Sequence, residues 1–387
     1  MLRPDYSGGG IVNLTSSLVQ ALGGEASPLY PPVPCLDMDV LDDAETIILV
    51  VIDGLGYEYL MRQEAGGFLR RHLKTSLTSV FPSTTATAIT TYLTGTAPQQ
   101  HGLTGWFMYF KEIGGVAAVL PFTWRGGTSL RQSGVEAGAL FDRPPIFNRI
   151  SAPSYLIIPK HIAGSDFNLA HTGAGRVVPY GSLTQFVSAV VNTAGIDKGR
   201  KFVYAYWPEL DARAHEHGPN SQRVAAHFAQ LQTALARLAH QLEGSRSAVI
   251  ITSDHGMIDS GPAHVIEVAD HPPLAQSLSL PLCGERRAAY CYVQPHLTGQ
   301  FEAYVRTHLA QYADLVKSDD LFEQGYFGRG PAHPRLRERI GDYILLMKGG
   351  YVIKDWVAGE RRHVQAGVHG GLSEEEMKVP LIVIPPA

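Results

Sequence analysis

Three apolar runs of strand length, each closed by metal-type side chains, constrain this chain more than any other feature. Residues 47–52 run into Asp53, residues 202–207 are followed by Asp211 and His215, and residues 248–253 close on Asp254 and His255. A fourth run, 379–384, is preceded by His369 in a glycine-rich loop. Buried runs that deliver acids and imidazoles at their carboxyl ends predict an open α/β sheet with a site along that edge. Three aspartates and three histidines suffice for two divalent cations. A hydroxyl-rich turn, Phe81-Pro82-Ser83-Thr84-Thr85-Ala86-Thr87, lies among them. Two cations beside a hydroxyl are the usual equipment for in-line phosphoryl chemistry.

The chain of 387 residues is long enough for a large core, and 45% hydrophobic against 18% charged residues reads as globular. A formal charge of −4 leaves no basic footprint for a dedicated nucleic-acid binder. The three cysteines (Cys35, Cys283 and Cys291) have no metal-type spacing and are expected as reduced thiols of a cytoplasmic protein. No signal-like leader is visible, and no run approaches the roughly 18 apolar residues of a membrane span, so no membrane partner is expected.

Residues 1–44, rich in Pro and Gly, are expected as a lead-in packed on the core, with one amphipathic candidate helix over 11–22. Residues 45–279 and 357–387 are expected to form the catalytic core, with a helical stretch near 57–72. Residues 280–356 alternate strand-like and helical patterns and suggest a small α+β insertion. Residues 85–94 followed by Gly95 predict a helix with a glycine C-cap, which would set Thr85 at a helix N-terminus that favours anions. The aromatic, glycine-rich stretch 102–138 is poor helix material and is expected as pocket-lining loops or a packed flap. Val224, Phe228, Leu231, Leu235, Leu238 and Leu242 recur at steps of four and three, the core face of an amphipathic helix.

Asp211 and His215 stand four apart, so one helical turn aims both at one point. Asp254 and His255 are adjacent and would diverge in a regular strand, but a turn allowed by Gly256 lets them address one cation or two neighbours. Each group has a bland alternative: an Asp-His pair also caps helices, and Ser/Thr runs cap more often than they attack. Their recurrence at one kind of topological position is what favours a metal site.

In these motifs the chain resembles the alkaline phosphatase superfamily, and within it the type I phosphodiesterase/nucleotide pyrophosphatase family. Four blocks carry the resemblance: Val51-Ile52-Asp53-Gly54-Leu55-Gly56; the Phe81–Thr85 turn with Leu93-Thr94-Gly95 and His101-Gly102; Asp211 to Pro219, reading Asp-x-x-x-His-x-x-Gly-Pro; and Ser253-Asp254-His255-Gly256-Met257, closed by His369-Gly370. The resemblance implies an alkaline phosphatase-like, doubly wound, mostly parallel sheet with helices on both faces. It implies two zinc ions, one held by Asp53, Thr85, Asp254 and His255, the other by Asp211, His215 and His369. Manganese or iron would accept the same ligand types. Thr85 would be the nucleophile, forming a phosphothreonine, because metal coordination lowers the pKa of an otherwise feeble hydroxyl acid.

Two positions after Thr85 bear on the substrate. Ile89 stands where sulfatases carry arginine, which sets that reading aside. Ala88 offers a phosphoryl oxygen nothing, so charge stabilisation is expected from the Thr85 amide, Thr87 or the aromatic stretch. The expected substrate is a small phosphodiester or nucleotide. The rivals are a phosphomonoesterase or phosphoglycerate mutase-like enzyme, and a metal-bearing scaffold without activity. Arg125, Lys160, Arg213, His101 and His217 are candidate substrate contacts, and Trp106, Trp124 and Trp207 candidate stacking partners, each with packing as the plainer role. Leaving group and oligomeric state are left open by the sequence.

Overall fold

The computed structural model describes residues 1–196 and 199–386. Its centre is a seven-stranded sheet with the order Leu73–Thr78, Lys378–Ile384, Ser247–Thr252, Thr46–Ile52, Lys201–Trp207, Ser154–Pro159 and Arg176–Tyr180. Neighbours pair in parallel throughout, except that Lys378–Ile384 runs antiparallel to both of its partners. The strand Thr46–Ile52 sits at the middle, with Ile52 opposite Trp207 and Val51 opposite Thr252. The three strands that precede the candidate ligands Asp53, Asp211 and Asp254 therefore end at one level. The mostly parallel α/β architecture is the one the motifs imply.

All seven residues of Thr46–Ile52 are buried. Its alternate side chains divide between two cores: Ile47, Leu49 and Val51 enter one, Ile48, Val50 and Ile52 the other. A strand covered on both faces has no polar side to show, which is why it reads as one apolar run. On one face lie helices Gln222–Gln241 and Leu183–Ala194, the former burying Val224, Phe228, Leu231, Leu235 and Leu238 as its spacing predicts. On the other lie helices Ile11–Ala21 and Thr85–Thr94.

Three segments differ from the sequence expectation. Helix Ile11–Ala21 is buried at every residue but Gln20, and two of its hydroxyls are satisfied locally: Thr15 donates to the Ile11 carbonyl at 3.0 Å and Ser17 to that of Asn13 at 3.1 Å. The stretch near 57–72 is two short helices, Tyr57–Met61 and Phe68–Arg71, the second capped at Gly67. The aromatic stretch is not loop. Its strands Phe107–Phe110, Gly115–Ala118 and Thr123–Trp124 continue a second seven-stranded sheet with Cys283–Gly284, Ala288–Cys291, Tyr343–Met347 and Ala313–Lys317, antiparallel throughout. Gly284 pairs with Phe107 at the junction. There the Gly105 and Gly284 backbones pack so closely that a Cβ on Gly105 would lie 2.6 Å from the Gly284 Cα. No helix among the described residues is long and apolar enough to cross a membrane.

Candidate metal centre

Five of the candidate side chains, Asp53, Asp211, His215, Asp254 and His255, are placed by the ends of central strands. Asp53 directly follows Thr46–Ile52 and is anchored by its own N–H, which donates to the Trp207 carbonyl at 2.9 Å. The next residue, Gly54, has φ +76°, and a Cβ there would lie 3.0 Å from the Asp211 Cα, so only glycine lets the two loops meet. Helix Glu209–His217 starts just after Lys201–Trp207 and presents Asp211 and His215 one turn apart, with His215 Nε2 3.3 Å from Asp211 Oδ2. Strand Ser247–Thr252 ends at Ser253, and Asp254 and His255 follow in the turn. Gly256 is needed here for room rather than for an unusual φ: a Cβ would lie 1.9 Å from the Glu375 carbonyl oxygen. His369 follows strand Gly367–Val368, which pairs with Ile258–Asp259 just beyond that turn.

Thr85 is the first residue of helix Thr85–Thr94, and Gly95 ends that helix with φ +64°. Its Oγ1 lies 3.1 Å from His255 Nε2 and 3.5 Å from Asp53 Oδ2. His255 Nε2 is 3.4 Å from both Asp53 Oδ1 and Asp254 Oδ2. His369 Nε2 is 3.2 Å from His215 Nε2 and 3.8 Å from Asp211 Oδ1. The ring of His255 stacks on that of His369. Asp53, Thr85, Asp254 and His255 thus gather on one side of this stack and Asp211, His215 and His369 on the other. Asp211, His255 and His369 also bring ligand atoms within 4.8 Å of one another, so His255 borders both groups.

The donor chemistry fits divalent cations. Asp53 Oδ1, Asp211 Oδ1 and Asp254 Oδ2 are buried oxygens without a hydrogen-bond donor, a costly state for carboxylates unless a cation meets them. Burial, followed by the nearby Asp254 and Asp211, pushes the Asp53 carboxyl well above the usual range. Burial likewise raises Asp211 against the pull of His215. Burial and the neighbouring His255 and His215 hold His369 well below its ordinary value, which keeps the imidazole neutral, the form that binds metal. The remaining ligand atoms are fixed from behind. Asp254 Oδ1 accepts from Gly54 N at 3.2 Å and His255 N at 3.0 Å. His215 Nδ1 donates to the Gly367 carbonyl at 2.7 Å. Such partners set ligand orientation.

The cluster opens into a cavity of about 510 Å³ lined by Thr85, His215 and His369 of the cluster and by Trp106, Glu285 and Arg286 among others. Arg125 lines it too, but its guanidinium is taken by Asp355 at 2.5 Å and Glu360 at 3.0 Å. The other candidate contacts lie away from it. Trp207 is stacked in the core between Tyr180 and His227, and His101 is buried against Thr91. Trp124 donates to Ser133, Arg213 pairs with Glu209, and His217 accepts from Arg223. Lys160 is exposed and does not line the cavity. Ala88 is fully buried one turn below Thr85 and does not face it.

Several residues of the site are not evident from sequence. The Tyr206 hydroxyl donates to Asp53 Oδ2, and burial keeps that phenol protonated. Glu285 Oε1 accepts from Thr84 Oγ1 and from Trp106 N, each at 2.7 Å, and burial pushes its carboxyl up to about 7. The triplet Glu285-Arg286-Arg287 between two apolar runs was the available signal.

A sequence profile of the type I phosphodiesterase/nucleotide pyrophosphatase family matches residues 47–372. No curated protein matches the chain in sequence. Among solved structures, murine ectonucleotide pyrophosphatase/phosphodiesterase 5 superposes with a TM-score of 0.67 at 18% identity, over 88% of both chains. An inactive threonine-to-alanine variant of it in complex with AMP gives 0.64 at 18% identity, again over 88% of both chains. Phosphonoacetate hydrolase from Sinorhizobium meliloti, in complex with phosphonoformate, gives 0.65 at 18% identity, over 89% of this chain and 92% of that one. At such identities the likeness shows a shared fold.

Proposed function

Because this chain belongs to the type I phosphodiesterase/nucleotide pyrophosphatase family, a family of phosphoric-ester hydrolases, we propose that it cleaves small-molecule phosphodiester or pyrophosphate bonds with Thr85 as nucleophile. Asp53, Thr85, Asp254 and His255 would hold one divalent cation and Asp211, His215 and His369 a second. Zinc suits this oxygen and imidazole set best. Bound cations there supply charge neutralisation and make the threonine hydroxyl a stronger acid.

The chain's own residues do the rest. Thr85 Oγ1 forms a bond to phosphorus as the bond to the leaving oxygen breaks, and the hydroxyl proton passes to solvent. Water then attacks the phosphothreonine, releases the phosphoryl product and restores the hydroxyl. The amides of Thr85 and Ala86 have no partner among the described residues. At a helix N-terminus they favour the negative charge of phosphoryl oxygens. Tyr206 holds Asp53 through a hydrogen bond, and Glu285 holds Thr84 and the Trp106 amide, which stiffens the floor beside the nucleophile.

The observation that carries this reading is the convergence of the Thr85 hydroxyl on His255 and Asp53, among aspartates whose inner oxygens lack donors. The test is turnover of bis(4-nitrophenyl) phosphate by zinc-loaded protein, with Thr85→Ala as the comparison. Turnover that survives this substitution would remove Thr85 from its role.

A further inference from the structure

The cavity beside the cluster has a second charged feature. Arg286 and Lys354 line it without a carboxylate within ion-pair distance of either among the described residues. Arg286 is half-buried, with Nη2 2.8 Å from His363 Nε2 and Nη1 donating to Gln365 Oε1. Lys354 is only 7% exposed; its Nζ donates to the His363 carbonyl at 3.4 Å and lies 3.6 Å from the Trp356 ring centre. The partners of both cations are neutral.

The acids that could have served them are engaged elsewhere. Asp355 and Glu360 face the same cavity, but both close on the fork of Arg125, which the Leu282 carbonyl fixes further at 2.6 Å. A buried cation without a counter-charge is unfavourable. Burial pushes the Lys354 ammonium down to about 7 and the Arg286 guanidinium down to about 10. Nothing in the packing requires charge at these two positions, because the wall is already pinned by Arg125.

The cations also stand apart from the reacting group. Neither cation hydrogen-bonds directly to Thr85 or its six candidate ligands among the described residues; Arg286 is linked to one of them through Gln365, whose Nε2 is 3.0 Å from His215 Nδ1, and its charge also acts on His369. A volume of about 510 Å³ is far more than a phosphoryl group needs and lies in the range of small-molecule sites. The same cavity therefore takes in Thr85 and both of these cations.

We propose that Arg286 and Lys354 form a subsite for a second anionic group of the substrate, a carboxylate or a phosphate, carried on the portion that departs from or flanks the phosphoryl group at Thr85. This rests on the hydrolase reading for its first anchor. The guanidinium fork suits a planar or tetrahedral oxyanion in a two-bonded contact, and the ammonium adds a point charge. Trp356 and Trp106 also line the cavity. The substrate class is thus a compound with two separated anionic groups rather than a neutral-armed ester.

Calorimetric titration of zinc-loaded full-length protein with phenylphosphonate, 4-carboxyphenylphosphonate and 1,4-benzenediphosphonate tests this without turnover. One of the two para-substituted ligands is expected to bind at least about tenfold more tightly than phenylphosphonate, or roughly 1.4 kcal/mol. Which of them binds more tightly distinguishes carboxylate from phosphate. The gap should close in Lys354→Met and in Arg286→Met. Equal affinities of the wild-type protein for all three ligands, or a gap that survives both substitutions, would overturn the subsite. Bis(4-nitrophenyl) phosphate turnover on the same preparation reports separately on the hydrolase reading.

Discussion

His255 and His369 lie face to face, ring centroids 3.7 Å apart and planes 17° from parallel. One ring belongs to the turn after a central strand and the other to a loop over a hundred residues later, so this contact joins two ligand groups delivered by different parts of the chain. In the proposed assignment His255 serves one group as ligand and the other as wall, so it should not be removable from one alone.

That coupling predicts unequal metal losses. Elemental analysis should find two divalent ions per chain in the wild-type protein and one in His215→Ala. It should find fewer than one in His255→Ala, because the His369 ring loses its support as the other group loses a ligand. Two ions retained in His255→Ala would refute the coupling.

Thr85 and its neighbour should separate cleanly. Thr85→Ala removes the attacking oxygen and is expected to lower kcat on bis(4-nitrophenyl) phosphate by on the order of a thousandfold or more. Thr84→Ala deletes a single hydrogen bond to Glu285, a change of roughly 1 kcal/mol and so about tenfold at most. If steady-state kinetics give the reverse ranking, the nucleophile is misplaced by one residue.

Glu376 is fully buried and accepts from Arg287 Nε at 3.1 Å, Arg287 Nη2 at 3.0 Å and Gly371 N at 2.8 Å. Its own carbonyl accepts from Gly256 N at 2.8 Å. One residue therefore ties the loops of His255 and His369 to the second sheet. Glu376→Ala leaves a buried guanidinium unpaired and should cost about 3–5 kcal/mol in denaturant unfolding. A loss below about 1 kcal/mol would mean that water or the Tyr351 carbonyl already satisfies Arg287.

His171 is buried between Phe141 and Phe167 and donates from Nδ1 to the Phe167 carbonyl at 2.8 Å; burial lowers its pKa from 6.5 to about 4. As pH falls, the unfolded chain takes up this proton first, near 6.5, and the folded chain only near 4. The stability that the neutral imidazole permits is present above pH 6.5 and drains away between these values, by roughly 3 kcal/mol in all. His171→Asn keeps a donor near Nδ1 and should flatten the fall in Tm between pH 6.5 and 4.5. An identical fall in both proteins would assign the acid sensitivity to other groups, with buried His101 the first to examine.

The sequence discloses the central sheet well because of how that sheet is covered. A strand buried on both faces, such as Lys201–Trp207, has no polar alternation to blur it, and the positions that must be polar fall at its end. Helix Thr85–Thr94 is equally legible, with a glycine where its left-handed cap requires one. The second sheet is not. Its strands near Phe107 run four residues or fewer, and the junction partner, Gly284, lies far along the chain. Helix Ile11–Ala21 misleads in another way, since Asn13, Thr15 and Ser17 look solvent-facing until their carbonyl partners are seen. Arg286 and Lys354 stand out through acids that Arg125 has already claimed, a relation visible only in three dimensions.

The junction of Gly105 with Gly284 joins two distant chain segments into the second sheet. Asp53, Asp211, His215, Asp254 and His255 follow strands of the central sheet, whereas Trp106, Glu285 and Arg286 come from the strands and turns of the second. The candidate ligands and the cavity wall are thereby carried mainly on different supports, tied together by Glu285 at Thr84 and by Glu376 at Arg287. Replacement of wall side chains outside those ties, such as that of Trp106, is expected to change which compounds fit the cavity and to spare the metal cluster.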